Sequence, residues 1–213
     1  MEDNNKVHLT GQIISEFTFS HEAYNEKFYR FEMSVLRLSG NTDVLQLLVS
    51  EKIVDTTKDL RGEHIEVLGQ YRSYNVPVNE NKTRLVLYVF VQELIEHNDN
   101  LYDLDENNIE LNGYVCKQPR YRKTPLGREI TDLIIGVNRP HRQSDYIPCI
   151  AWGRNAKYSM NFEVGQQVKI SGRIQDREYQ KKLSDETYET RTAYEVSITS
   201  IEKIEEENNE FSD

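Results

Sequence analysis

Two cysteines, Cys116 and Cys149, are all that 213 residues provide. That is too few for a disulfide framework, and without a Cys-x-x-Cys pair it makes no thiolate metal site. The histidines (His8, His21, His64, His97, His141) are scattered, with no metal-ligand spacing. Glycine-rich phosphate loops and a nucleophile elbow are missing as well. The expectation is a binding protein, not an enzyme, with no metal and no cofactor. No apolar run approaches the roughly 18 residues a membrane helix needs, and the opening MEDNNKVHL has no signal-peptide core. A cytoplasmic protein without a membrane partner is expected.

Positive charge is also short overall, at 26 Lys and Arg against 36 Asp and Glu, a net −10. The distribution matters more than the sum. Residues 1–104 hold 10 cations against 17 acids; residues 105–204 hold 16 against 14; residues 205–213 hold 5 acids and no cation. The first half and the end therefore repel phosphate, while the second half does not.

What the sequence does have is an internal repeat. Val7-His8-Leu9-Thr10-Gly11-Gln12-Ile13 matches Ile109-Glu110-Leu111-Asn112-Gly113-Tyr114-Val115 at an offset of 102. At that offset Phe31, Met33, Val35 and Arg37 fall on Leu133, Ile135, Val137 and Arg139, and Asp43 falls on Asp145. One residue later Gly62, Ile65, Val67 and Gly69 fall on Gly165, Val168, Ile170 and Gly172. The offset grows where turns belong, so the chain is a duplication.

Period-2 alternation and enrichment in Val, Ile, Tyr and Phe predict strands over 7–15, 28–37, 44–50, 63–73 and 83–95. The second copy repeats them over 109–116, 130–139, 145–152, 166–178 and 188–202. Segments able to form a helix, Glu51–Leu60 and Arg154–Phe162, separate the third and fourth strands. This predicts an all-β chain: two tandem OB-fold five-stranded barrels, each with a short helix between strands 3 and 4. Residues 1–95 form the first barrel, 96–108 an acidic solvated linker, 109–204 the second barrel and 205–213 an acidic tail. The linker's Asp103, Asp105 and Asn107 have calcium-loop spacing, but Asn108 stands where that loop needs glycine.

Alternation also sorts the faces of the second copy. Ile147, Cys149 and Ala151 point one way; Tyr146, Pro148, Ile150 and Trp152 the other. Next to the apolar row Val168, Ile170 and Ile174 runs a polar one, Lys169, Ser171, Arg173, Gln175, Arg177 and Tyr179. Exposed rings with arginines on one barrel face suit a single-stranded nucleic acid: bases stack on the rings and cations follow the phosphates. The bland reading makes the rings core and the arginines a solvated edge.

The second copy resembles the bacterial single-stranded DNA-binding protein family over about 109–204. The resemblance is carried by Pro119, Arg122, Thr124-Pro125-Leu126-Gly127, Val137-Asn138-Arg139-Pro140, the run Asp145 to Gly153, and Gly172-Arg173-Ile174-Gln175 through Tyr179. It implies base stacking on Tyr146, Trp152 and Tyr179, and at the position of His141, where a bulkier ring is common. With the cations of this face it assigns phosphates to Arg122, Lys123, Arg139, Arg154, Arg173 and Arg177. It implies sequence-tolerant binding that protects and organises single-stranded DNA in replication, recombination and repair. It also implies a homodimer with four barrels, and an acidic tail whose Phe211 recruits replication and repair proteins.

The first copy lacks this face. Tyr146, Trp152 and His141 become Val44, Ser50 and Ser39; Arg173 becomes Gln70 and Tyr179 becomes Val76. Its expected role is assembly, the alternative being a shifted groove of Phe17, Phe19, Tyr24, Phe28, Tyr71 and Tyr74. The rival function is a protein-interaction or replication-accessory module, primosome-like or from a mobile element, with weak DNA binding. RNA is a third possible ligand, since stacking faces do not read the 2′-OH.

Overall fold

Glycine recurs at two points, Gly11 and Gly113, where a sheet must close on itself. A Cβ on Gly11 would collide with the carbonyl oxygen of Ser34, and one on Gly113 with that of Gly136. Around these contacts the computed structural model, which describes residues 4–79, 82–97, 105–182 and 187–205, forms two barrels. In the first, β1 (Asn5–Ile13) pairs with β5 (His64–Asn79), β5 with β6 (Lys82–His97), and β6 runs parallel to β4 (Thr42–Ser50). β4 pairs with β3 (Glu26–Leu36), which returns to β1 and closes the ring. A short strand, β2 (Thr18–Ala23), adds to β3 as an arm.

The second barrel repeats this order with β7 (Asn107–Val115), β11 (Gln167–Lys182), β12 (Tyr188–Lys203), β10 (Gln143–Trp152) and β9 (Glu129–Arg139). Its arm is β8 (Arg120–Lys123). The fold is all-β, two tandem OB-folds, as the repeat predicts. Inward rows such as Leu9, Met33 and Val67, and Leu111, Ile135 and Ile170, are buried and fill the cores.

The two helices do not both form. α1 (Gly153–Ser159) is present, with Thr131 Oγ1 donating to the Ala156 carbonyl at 2.8 Å. Residues 51–63, all described, form turns and bends instead. There Asp55 Oδ1 accepts from the Thr57 amide and hydroxyl, and Asp59 Oδ1 from the Arg61 amide. Such local side-chain bonds compete with a helix for the backbone. The arms β2 and β8 and the long ends of β5, β6 and β11 extend beyond the predicted strands.

The barrels join through β1 and β7, which pair antiparallel with Val7 opposite Ile109, Asn5 opposite Leu111 and Leu9 opposite Asn107. Val7 and Ile109 are equivalent in the repeat, so a pseudo-two-fold axis passes between them. On either side Asn5 bonds both the amide and carbonyl of Tyr71 (2.9 and 2.8 Å), and Asn107 does the same to Ile174 (both 2.8 Å). All twelve strands among the described residues thereby belong to one sheet. Of the predicted linker, residues 98–104 lie outside the described residues. Its end is docked: Asp105 accepts from the Leu36 amide at 2.6 Å and lies 2.7 Å from His64 Nε2.

Two polar seams flank the β1–β7 pair. In one, Asp145 Oδ1 accepts from the Ser73 amide (2.7 Å), and the Tyr146 amide donates to Ser73 Oγ (2.8 Å). In the other, the Val44 amide donates to Asp176, and the Asp176 amide to Asp43, both at 3.2 Å.

Candidate nucleic-acid interface

Strand order places β9, β10, β12 and β11 side by side, so their outward residues form one wall. Tyr146 and Trp152 stand on β10, opposite Gly136 and Ile130 of β9. Arg177 and Tyr179 stand on β11, opposite Ala193 and Arg191 of β12. Tyr146 is 46% exposed and Tyr179 38%, while Trp152 is half-buried at the start of α1. The inward residues Ile147, Cys149 and Ala151 are buried. Burial pushes the Cys149 thiol well above its ordinary pKa, so it behaves as a small apolar filler. His141 is exposed in the tight β9–β10 connection, and both His141 (φ 63°) and Arg142 (φ 59°) take the left-handed conformation. That is an uncommon geometry for side chains with a Cβ.

The cations divide into three kinds. Lys123, on the β8 arm, and Arg154, directly after the Trp152-Gly153 corner, have no ion pair among the described residues and are exposed. Arg122 makes a forked pair with Asp132 (2.7 and 3.0 Å), which raises its pKa further, and Arg177 bonds Glu195 at 3.1 Å with its guanidinium 5.8 Å from the Tyr179 ring centroid. These two remain partly exposed. Arg139 and Arg173 instead point into the seams: Arg139 lies 3.1 Å from Asp145, and Arg173 Nη1 donates to Asp43 at 3.1 Å. Both carboxylates are 0% exposed.

Burial sets the electrostatics of the seams. Asp145 is held above the usual carboxylate range by desolvation, opposed by the Ser73 amide and Arg139. Asp176 is raised by desolvation and by the neighbouring Asp43. Desolvation lowers the Arg173 guanidinium. Sequence reasoning did not find the acids Asp132 and Glu195 that face the wall's arginines. Each sits on the polar side of an alternating strand, where nothing distinguishes a partnered carboxylate from a solvated one.

Of the shifted groove weighed for the first barrel, Tyr71 is core at 2% exposure and Phe17 packs against the core. Phe19 and Tyr24 are exposed, and Phe28 and Tyr74 are half-buried. The tail, with Phe211, lies outside the described residues.

Known proteins resemble the barrel that carries this wall. The Single-strand binding protein family matches residues 106–204, the barrel that carries it. The chain is 30% identical over 109 residues to Single-stranded DNA-binding protein A of Bacillus subtilis, covering 48% of this chain and 61% of that protein. It is 31% identical over 111 residues to Single-stranded DNA-binding protein 3 of Streptococcus agalactiae, covering 49% and 78%. It spans 61–66% of the length of the Bacillus and Listeria innocua relatives. The wild-type single-stranded DNA binding protein from Thermus aquaticus has the same fold over 95% of this chain and 93% of its own, with TM-score 0.75 at 15% identity. Similarity concentrated on the ring-bearing barrel and covering most of the Streptococcus protein places this chain in the single-strand binding protein family.

Proposed function

We propose that the chain binds single-stranded DNA with little regard to sequence, through the outward wall of the second barrel, and so protects it during replication, recombination and repair. Tyr146, Trp152 and Tyr179 stack bases, with His141 at the wall's rim. Lys123 and Arg154 hold phosphates, and Arg122 and Arg177 share their exposed edges between carboxylate and phosphate. Arg139 and Arg173 act from behind, bracing the seams. The carrying observation is the pairing of open rings with cations on one wall of a barrel whose core lies elsewhere. The family consists of binding proteins, and this reading contains no catalytic step.

Four cations neutralising one phosphate each would make log affinity fall against log salt with a slope near about −3 for a single strand. Fluorescence anisotropy of labelled oligo-dT between low and moderate salt measures it. A slope near zero, or no binding at low salt, removes the reading.

A second reading has its own observation: four of the six predicted phosphate cations already face carboxylates, which suits an accessory module with weak DNA binding. A nuclease-treated pull-down with the chain cut back to residue 204 separates the two, since only the accessory module keeps protein partners once both the nucleic acid and the tail are gone. The homodimer with four barrels, recruitment of partners through Phe211, and a cytoplasmic setting complete the proposal. Among the described residues, no helix is long and apolar enough to cross a membrane.

A further inference from the structure

The two seams are one clamp built twice about the pseudo-two-fold axis. Ser73 of β5 and Asp176 of β11 are equivalent in the repeat, as are Asp145 and Asp43. The Ser73 amide donates to Asp145 at 2.7 Å, and the Ser73 hydroxyl accepts from the following amide, that of Tyr146, at 2.8 Å. In the other seam the Asp176 amide donates to Asp43 and the Asp176 carboxylate accepts from the Val44 amide, both at 3.2 Å. Each barrel thus grips two successive residues of the other.

What is gripped differs. Val44 stands where the second barrel has Tyr146, a ring of the binding wall. The course of β10 explains why that ring's backbone takes a partner from the other barrel. On one side β10 pairs with β9 along its whole length, from Gln143 to Trp152. On the other it meets β12 only at Cys149 and Ile150. The Tyr146 amide lies on the stretch that has no strand of its own barrel on that side, and Ser73 Oγ completes it. Directly across the ladder is Gly136, which has no side chain to pack against the ring. Ser73 is 7% exposed and Asp145 is fully buried, so water does not readily replace the clamp. Arg139 reinforces it, lying 3.1 Å from Asp145 and 6.0 Å from the centroid of the Tyr74 ring.

We propose that Ser73 of the first barrel is a positioning residue for base stacking by the second: through the Tyr146 amide it fixes the backbone from which the ring projects. The proposal rests on the single-stranded DNA reading above. A ring held in place before binding loses less freedom when a base stacks on it, so the docked first barrel raises the affinity of a wall it does not line. The mirror clamp on Val44 holds the barrels together without touching that wall.

Ser73→Ala removes the hydroxyl and keeps the amide bond to Asp145, whereas Ser73→Thr keeps both. Affinity of the full-length chain for labelled oligo-dT of about ten nucleotides is measured by fluorescence anisotropy, well below the unfolding temperature. Each variant is made alone, and Ser73→Ala is also combined with Tyr146→Ala. The expected result is binding about fivefold weaker in Ser73→Ala, within about twofold of the parent in Ser73→Thr, and no further loss when Ser73→Ala is added to Tyr146→Ala. Hydrogen exchange at the Tyr146 amide should quicken at least about tenfold in Ser73→Ala, while the Val44 amide keeps its rate. Parent-like affinity in Ser73→Ala overturns the proposal, as does a Ser73→Thr chain equally weak. A loss that persists in the Tyr146→Ala background, or exchange that quickens equally at Val44, also overturns it, since either marks a general loosening of the seams. If Tyr146→Ala alone binds like the parent, it is the stacking reading of the wall that fails.

Discussion

Asp43 is where the seam is most exposed to test. Its carboxylate is fully buried and accepts from both arms of the Arg37 guanidinium, from Arg173 at 3.1 Å and from the Asp176 amide at 3.2 Å. Asp43→Ala leaves these donors without an acceptor. Removing one partner of a buried pair costs about 3–5 kcal/mol. Two corrections reduce it. The Arg37 and Arg173 side chains keep 24% and 34% of their surface and can rehydrate, and Asp176 loses a repulsive neighbour. The net expectation is a loss of about 2–3 kcal/mol. Asp132→Ala, which breaks the exposed Arg122 pair of the same chemistry, costs less than about 1 kcal/mol. Urea unfolding followed by far-UV circular dichroism measures both. Equal losses in the two variants, or less than about 1 kcal/mol for Asp43→Ala, refute the claim that burial at the seam decides the difference.

Other consequences can be checked in the same way. Asp176→Asn keeps an acceptor for the Val44 amide while removing a carboxylate whose pKa is raised in the fold. A raised carboxyl contributes stability at low pH that is lost as pH rises, so the variant gains on the parent above the ordinary carboxylate range. Its advantage fades in acid, as unfolding across pH 4–8 will show; a constant difference rejects the assignment. Tyr24→Gly relieves a left-handed tyrosine and should raise stability by up to about 1 kcal/mol, read as an upward shift in Tm. Arg154→Ala should lower the salt slope of oligo-dT binding by about 0.7, the share of one phosphate, with Tm unchanged.

The barrels were legible because a core row leaves a period-2 trace and a duplication writes that trace twice. Val7-to-Ile13 and Ile109-to-Val115 show both. The way the copies dock was not. Its parts are Asn5, Asp43, Ser73, Asp145 and Asp176, polar residues that in a sequence look like solvated ones. The helix expected over Glu51–Leu60 failed for a related reason, since Asp55 and Asp59 bond their own backbone two residues on. The wall residues Tyr146, Trp152 and Tyr179 could be placed by parity alone, because β10 pairs with β9 without a register shift from Gln143 to Trp152, and β11 with β12 from Gly172 to Lys182. Whether an arginine is free could not, since Asp132 and Glu195 lie on other strands. Of the first barrel's rings, Tyr24, Phe28 and Tyr74 belong to the shifted groove that the sequence offered, while His21 and Phe90 did not enter it.

The most direct test is titration of Trp152 fluorescence with oligo-dT at low salt, in the parent and in Tyr146→Ala. A base stacking on the open wall predicts quenching in the parent and binding weaker by about 1–3 kcal/mol in the variant. A Trp152 spectrum that oligo-dT leaves unchanged would contradict the account.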